Sequence, residues 1–219
     1  MTAFPIILSA PSGTGKTTIA KELVARRPDI GYSVSCTTRP PRPDEVEGTD
    51  YFFLSRPEFL AKRGQGEFAE SAEVHGNLYG TLRSEVLRVL NAGQHVLMDI
   101  DVQGAVQFTR VFPHSVTVFV LPPTAETLLE RLRLRNSETT QELADRMQSA
   151  LQELQSVDEY EYVLVNDDLE YAVQHVCSIV DAEVTSRDRV VGLRTQVALL
   201  IERIETEIKS RTNSEGQKK

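Results

Sequence analysis

The chain has 219 residues, enough for one domain with a sizeable core and small inserted lobes. Its net charge of −8 argues against broad adhesion to nucleic acid or an anionic membrane, while leaving room for a small cationic pocket. Cys36 and Cys177 make neither a disulfide framework nor a metal pattern, and no apolar run reaches the length of a membrane span. Reduced thiols and the lack of a visible leader segment predict a cytoplasmic protein.

In chain order, Pro5-Ile6-Ile7-Leu8 predicts a core strand and Ile19 to Val24 a helix. Between them runs Ser9-Ala10-Pro11-Ser12-Gly13-Thr14-Gly15-Lys16-Thr17-Thr18. Strand, Gly-rich turn and helix in that order read as a phosphate-binding loop, with Ala10 standing at the first glycine of the general pattern. Gly13 and Gly15 permit a backbone that aims successive N–H groups at phosphate oxygens. The helix N-terminus adds further N–H groups and a positive partial charge. Lys16 supplies a full charge for the β- and γ-phosphates, and Thr17 a hydroxyl for Mg²⁺.

From about Ser33 to Tyr79 the alternation of strand and helix breaks. Pro40, Pro41 and Pro43 stiffen a segment on which Arg39 and Arg42 lie three residues apart, a spacing suited to bidentate phosphate contacts. Tyr51-Phe52-Phe53-Leu54 follows, then a capping-box signature at Ser55-Arg56-Pro57-Glu58, then the alternating stretch Phe68 to Val74. This predicts a small inserted lobe of strands around one helix.

Helix returns at Leu82 to Leu90 and ends near Gly93. Three further core strands are expected at His95–Ile100, Val116–Leu121 and Tyr162–Val165, each a near-continuous apolar run suited to burial on both faces. Asp99 and Asp101 stand at the end of the first of these, where ligands gather in a parallel sheet. If that strand continues, alternation sends the two carboxylates to opposite faces. Residues 124–154 read as two charged helices carrying Arg131, Arg133, Arg135 and Arg146, joined by the polar turn Asn136-Ser137-Glu138: a flap or a solvated surface pair. Asp167 or Asp168 is an N-cap for the helix after Val165. Val190, Leu193, Val197, Leu200, Ile204 and Ile208 form a helical stripe expected to pack on the core or on a second subunit, leaving monomer and homodimer both open.

At this point the chain resembles the guanylate kinases. The resemblance rests on the phosphate loop, on Ser35-Cys36-Thr37-Thr38-Arg39-Pro40-Pro41-Arg42-Pro43, Glu47-Gly48-Thr49-Asp50-Tyr51, Phe68-Ala69-Glu70, Gly76-Asn77-Leu78-Tyr79-Gly80-Thr81, Leu97 to Gly104 and Val165 to Leu169. These occur in family order and reach to about Asp181. The resemblance implies an α/β fold: a three-layer phosphate-loop core with a parallel sheet (1–32, 82–123 and 155–186), an inserted mixed α+β GMP-binding lobe (33–81) and a helical lid (124–154). A C-terminal amphipathic helix and polar tail (187–219) follow.

The implied reaction is Mg²⁺-dependent transfer of the γ-phosphoryl group of ATP to GMP, and to dGMP, in purine nucleotide metabolism. Residues 10–18 (Ala10, Pro11, Ser12, Gly13, Thr14, Gly15, Lys16, Thr17 and Thr18) resemble the ATP phosphate site, and Asn166 a residue beside the adenine of ATP. Arg39, Arg42, Tyr51 and Tyr79 resemble the clamp on the GMP phosphate, and Ser35, Glu70, Thr81 and Asp101 the guanine readers. Asp99 belongs with Thr17 in the Mg²⁺ and phosphate neighbourhood. Arg135 and Arg146 resemble lid arginines that act in catalysis with Lys16, Arg39 and Arg42.

The chemistry is coherent with these residues. A phosphate monoester near pH 7 is mostly a dianion and already nucleophilic, so no general base is required. None of the four histidines (His75, His95, His114 and His175) belongs to an evident nucleophile–base pair. Catalysis then reduces to positioning and charge neutralisation. A carboxylate at Glu70 accepts from guanine N1–H and N2–H₂, whereas adenine offers it a lone pair. Two other readings compete. One is a guanylate-kinase-like binding module without catalysis, against which the retained loop and clamp residues argue. The other is a kinase for a different phosphorylated acceptor, such as a ribose phosphate, against which the guanine-reading set argues.

Overall fold

The structure, a computed structural model, describes residues 2–74, 76–133 and 140–216. Five strands, β1 (Pro5–Ser9), β2 (Ile30–Tyr32), β7 (His95–Asp99), β8 (Val116–Leu121) and β9 (Tyr162–Val165), form one sheet in the order β2-β7-β1-β8-β9. All its neighbours are parallel. The four strands expected from apolar runs are present, and β2 is an addition. Its three residues, Ile-Gly-Tyr, are too short and too mixed to show a period.

Both faces of the sheet are covered over the central strands β7, β1 and β8, whereas β9, expected to be buried on both faces, is an edge strand with Val163 and Val165 exposed and only Leu164 buried. Ile7, Val96 and Met98 pack with Val86 and Val89 of α3 (Arg83–Asn91) and with Ala105 and Phe108 of α4 (Val102–Val111). Ile6, Leu8 and Leu97 alternate to the opposite face and are fully buried as well. Each such side chain withdrawn from water contributes about 1.5–3 kcal/mol. The chain order puts β1 at the centre, so the loop leaving it toward α1 (Lys16–Arg26) opens at the carboxyl edge, where the connections on its two sides diverge.

A second sheet, in the order β4-β3-β6-β5, is built from β3 (Cys36–Thr37), β4 (Phe52–Phe53), β5 (Phe68–Val74) and β6 (Asn77–Leu82). With α2 (Arg56–Gly64) it encloses Cys36, Phe59, Phe68 and Leu78. The Ser55–Glu58 capping box forms as expected. Leu82 is the last residue of β6 rather than the start of a helix, and α3 ends one residue before Ala92 and Gly93, whose φ of +80° suits glycine.

Helices α5 (Ala125–Arg133) and α6 (Thr140–Leu154) pack through Leu128, Leu132 and Ala150. The turn expected at Asn136-Ser137-Glu138, like Arg135, lies outside the described residues. Asp168 caps α7 (Leu169–Val184), accepting from Tyr171 N at 3.0 Å. The chain divides into two compact units, one of residues 3–179 and one of residues 1–2 with 180–219. In the second unit a single turn at Arg187–Arg189 precedes α8 (Leu193–Gly216), on which Val197, Leu200, Ile204 and Ile208 are exposed. No helix among the described residues is long and apolar enough to cross a membrane.

Candidate active site

The phosphate loop takes the form its glycines require. Gly13 and Gly15 have φ of +85° and +95°, a region that L side chains rarely enter. Gly15 precedes α1 as its N-cap, no side chain caps the helix, and its first turn carries no acidic residue. The first N–H groups of α1 and its positive end are therefore not neutralised by an acidic residue of the helix's own first turn. Thr14 closes the turn, with its hydroxyl 2.7 Å from Pro11 O. Asn166, at the end of β9, braces the loop from behind: its amide donates to Thr14 O at 2.7 Å, and a Cβ on Gly15 would stand 2.7 Å from Asn166 Nδ2.

A cleft of about 560 Å³ runs from this loop to the second sheet, lined by residues 10–18 together with Arg39, Arg42, Tyr51, Tyr79, Asp99 and Arg146. Lys16 Nζ lies 3.0 Å from Ile100 O, at the carboxyl edge of the sheet. Thr17 Oγ1 donates to Asp99 Oδ2 at 2.7 Å, and Tyr32 OH donates to Asp99 Oδ1. Burial and the neighbouring Asp99 charge push the Tyr32 phenol well above its ordinary pKa, so it stays protonated. Among the described residues no three His, Cys, Asp or Glu side chains gather into a metal cage. A hydroxyl and one carboxylate beside a phosphate loop are hard oxygen donors, which fit a cation completed by phosphate and water.

The arginine segment faces this loop across the cleft. Glu45 accepts from both Nη atoms of Arg39, at 2.6 and 2.5 Å, and from Arg42 N at 2.8 Å. The Arg39 guanidinium holds the Glu45 carboxyl down at about 2, while Arg39 Nε is buried without a hydrogen-bond partner. The guanidinium also lies 5.0 Å from the Tyr51 ring centroid, and Tyr51 meets Tyr79 edge-on at 6.2 Å. Burial lifts the Tyr51 phenol to about 12, which keeps it a donor. Arg42 is mostly exposed.

A smaller recess of about 160 Å³ opens beside Lys16, with Ser35, Glu70, Tyr79 and Asp101 in its wall. An irregularity in the β5–β6 ladder sets Glu70 opposite Thr81, and Thr81 Oγ1 donates to Glu70 Oε1 at 2.7 Å. Ser35 Oγ is 3.5 Å from Thr81 Oγ1. Desolvation, the largest influence, raises the Glu70 carboxyl to about 7. The strand does not continue past Asp99: Asp101 instead caps α4, accepting from Gly104 N at 2.7 Å. Opposite faces of one strand therefore do not describe the two carboxylates. Backbone geometry changes between them.

Arg146 is buried, donating to Leu132 O at 3.1 Å and to Ser12 Oγ at 3.3 Å. Three residues not singled out by sequence also reach the loop or its partner. Arg131 Nη1 donates to Thr14 O at 3.2 Å, Glu153 Oε2 accepts from Ser12 N at 3.3 Å, and Tyr32 holds Asp99. Arg131 was visible only as one of several helix arginines. Glu153 sits two helical turns from Arg146, a spacing that could have placed both on one face.

A family model described as guanylate kinase matches residues 2–183. The guanylate kinase of Thermotoga maritima is 46% identical over 177 residues, covering 81% of this chain and 86% of that protein. The guanylate kinase of Nostoc sp. is 46% identical over 171 residues, covering 78% and 86%. A crystal structure of guanylate kinase from Anaplasma phagocytophilum superposes with a TM-score of 0.74 at 35% identity, covering 89% of this chain and 93% of that one. Sequence and architecture agree over most of the chain, and the chain belongs to the guanylate kinase family.

Proposed function

We propose that the cleft carries out the family's reaction, γ-phosphoryl transfer from ATP to GMP, with the residues in the roles that follow. The chain is a nucleoside monophosphate kinase, and the observation that carries the assignment of sites is the buried Glu70 carboxylate, joined to Thr81 and sharing one recess with Lys16. A carboxylate there accepts from guanine N1–H and N2–H₂ and the Ser35 hydroxyl donates to guanine O6, while Thr81, whose proton goes to Glu70, serves the guanine by holding that carboxylate. Asp101 closes the same wall. Arg39 binds the GMP phosphate with Arg42, Tyr51 and Tyr79, all four lining the cleft.

On the other side, Ala10, Pro11, Ser12, Gly13, Thr14, Gly15, Lys16, Thr17 and Thr18 wrap the ATP phosphates. Asn166 serves that site by fixing the loop's shape. Thr17 and Asp99 would hold Mg²⁺, which when bound neutralises charge on the β- and γ-phosphate oxygens. A GMP phosphate oxygen attacks Pγ as the bond from Pγ to the bridging oxygen breaks, and ADP leaves. Lys16, Arg39, Arg42 and Arg146 neutralise the charge that accumulates between the two nucleotides, with Arg135 in the same role. Residues 33–81 form the GMP-binding lobe and 124–154 the lid that excludes water once both nucleotides are present.

A coupled assay of ADP release with GMP, dGMP, AMP, UMP and CMP tests the function. GMP and dGMP support turnover and the others do not; preference for AMP overturns the guanine assignment. Lys16→Met reduces kcat by about 10³ or more, since one preorganised charge contributes at least that much to such transition states.

A further inference from the structure

The Asp99 carboxylate is shared between two donors from different elements. Thr17 Oγ1, in the first turn of α1, takes Oδ2 at 2.7 Å, and Tyr32 OH, at the end of β2, takes Oδ1. Strand β2 is the edge of the core sheet, paired only with β7, in a register that sets Tyr32 opposite Leu97. The ladder continues through Ser33 N, which donates to Leu97 O at 3.0 Å. That register brings the phenol level with Asp99, two residues beyond Leu97. Asp99 is the last residue of β7, and the next regular element begins at Val102, so no ladder bond beyond it fixes its side chain.

We propose that Tyr32 is a positioning residue for the divalent cation: its hydroxyl locks the Asp99 carboxylate in the rotation that presents Oδ2 to Thr17 and the phosphate loop. A carboxylate end is free to turn about its last bond unless both oxygens are held. With Oδ1 pinned from the strand side, the lone pairs facing the loop stay aligned for a cation or its water. Groups that orient a metal's ligands in this way typically change metal affinity 10- to 100-fold when removed. Phenylalanine at this position keeps the ring and deletes only the donor.

This inference rests on the proposed pairing of Thr17 and Asp99 as the cation's protein ligands, and the experiment separates the two. Mn²⁺ binding is followed by the loss of its free-ion paramagnetic resonance signal, with ADP present and GMP absent, so that nothing turns over. Wild type, Tyr32→Phe, Asp99→Ala and the double variant are compared, with Asp99→Asn in reserve should the alanine variant not fold. Tyr32→Phe is expected to weaken Mn²⁺ about tenfold, to leave ADP binding in EDTA and GMP binding unchanged, and to add nothing in the Asp99→Ala background. Wild-type Mn²⁺ affinity in Tyr32→Phe beside a weakened Asp99→Ala overturns the role of Tyr32 and leaves the cation pair standing. Undiminished affinity in Asp99→Ala overturns the pair itself. An equal loss of ADP binding in EDTA, or an undiminished Tyr32→Phe effect without Asp99, also overturns the proposal, because the phenol then acts on the fold at large.

Discussion

Gly104 leaves room for the Glu70 carboxylate: a Cβ built on Gly104 would stand 2.8 Å from Glu70 Oε2 and 3.2 Å from its carboxyl carbon. Gly104 lies in α4 with an ordinary helical φ, so an alanine suits the backbone and by itself favours the helix by about 1 kcal/mol. Gly104→Ala therefore acts on the carboxylate. Steady-state kinetics should show KM for GMP raised at least about tenfold, as for a misplaced buried hydrogen-bonding group, with KM for ATP and the melting temperature little changed.

Glu70 also predicts a pH dependence. Its carboxyl titrates near 7 in the folded protein against an ordinary 4.5, because burial disfavours the charge. The protonated acid cannot accept from both guanine donors, so kcat/KM for GMP falls as pH drops below about 7. Glu70→Gln has a low kcat/KM for GMP, and its acid limb moves down to the titration of the GMP phosphate itself, at about 6.

The same group links pH to stability. Between pH 4.5 and 7 the folded chain keeps a proton that the unfolded chain has released, so the contribution of Glu70 to stability falls as pH rises through this window. By pH 8 the deficit is of order 3 kcal/mol. Glu70→Gln in the nucleotide-free state should then be more stable than wild type in urea at pH 8, with the difference vanishing near pH 4.5.

β1, β7 and β8 were legible in the sequence because they are buried on both faces and need an unbroken apolar run; β9 showed the same apolar run although Val163 and Val165 are exposed at the sheet edge, and β2 was not legible, because it is an edge strand of three mixed residues. The phosphate loop was legible because its function is local: backbone, lysine and hydroxyl all lie within ten residues. Glu70 has no such signal of its own in a strand that reads Phe-Ala-Glu-Ser-Ala, and only the family resemblance singled it out. The contacts of Tyr32 with Asp99 and of Glu153 with Ser12 join residues 67 and 141 positions apart, which no periodicity can reveal. Asp101 misled for a different reason. Alternation assumes a continuing strand, and the chain turns into a helix cap two residues after the last ladder position.

Glu45 governs Arg39. It accepts from both Nη atoms of the guanidinium and so fixes where the group stands in the cleft wall. Glu45→Gln removes the charge and one of the two acceptor oxygens, so the guanidinium loses its bidentate anchor. KM for GMP should rise roughly fivefold to tenfold, in line with the loss of one charge-assisted hydrogen bond, while ATP binding by calorimetry is unchanged.

Glu153 presents a carboxylate to Ser12 N, inside the loop built for phosphate, and burial raises its pKa. In the proposed ATP site, the phosphate competes with Glu153 for that N–H and meets its negative charge. Glu153→Gln should therefore tighten ATP, with Kd from calorimetry lowered severalfold at pH 8, as expected when one like-charge contact at partial burial is removed. The gain should shrink on acidification, as the wild-type carboxyl itself becomes neutral.

The amide of Asn166 grips the carbonyl of Thr14 across 152 positions of chain. The anion cradle is written in the first eighteen residues, yet its shape is finished by a side chain that leaves the ribosome long after them. An emerging chain has no finished cradle until β9 has docked, so nucleotide capture should be among the last competences acquired during synthesis. A fragment ending before Tyr162 would carry the whole signature and hold no nucleotide.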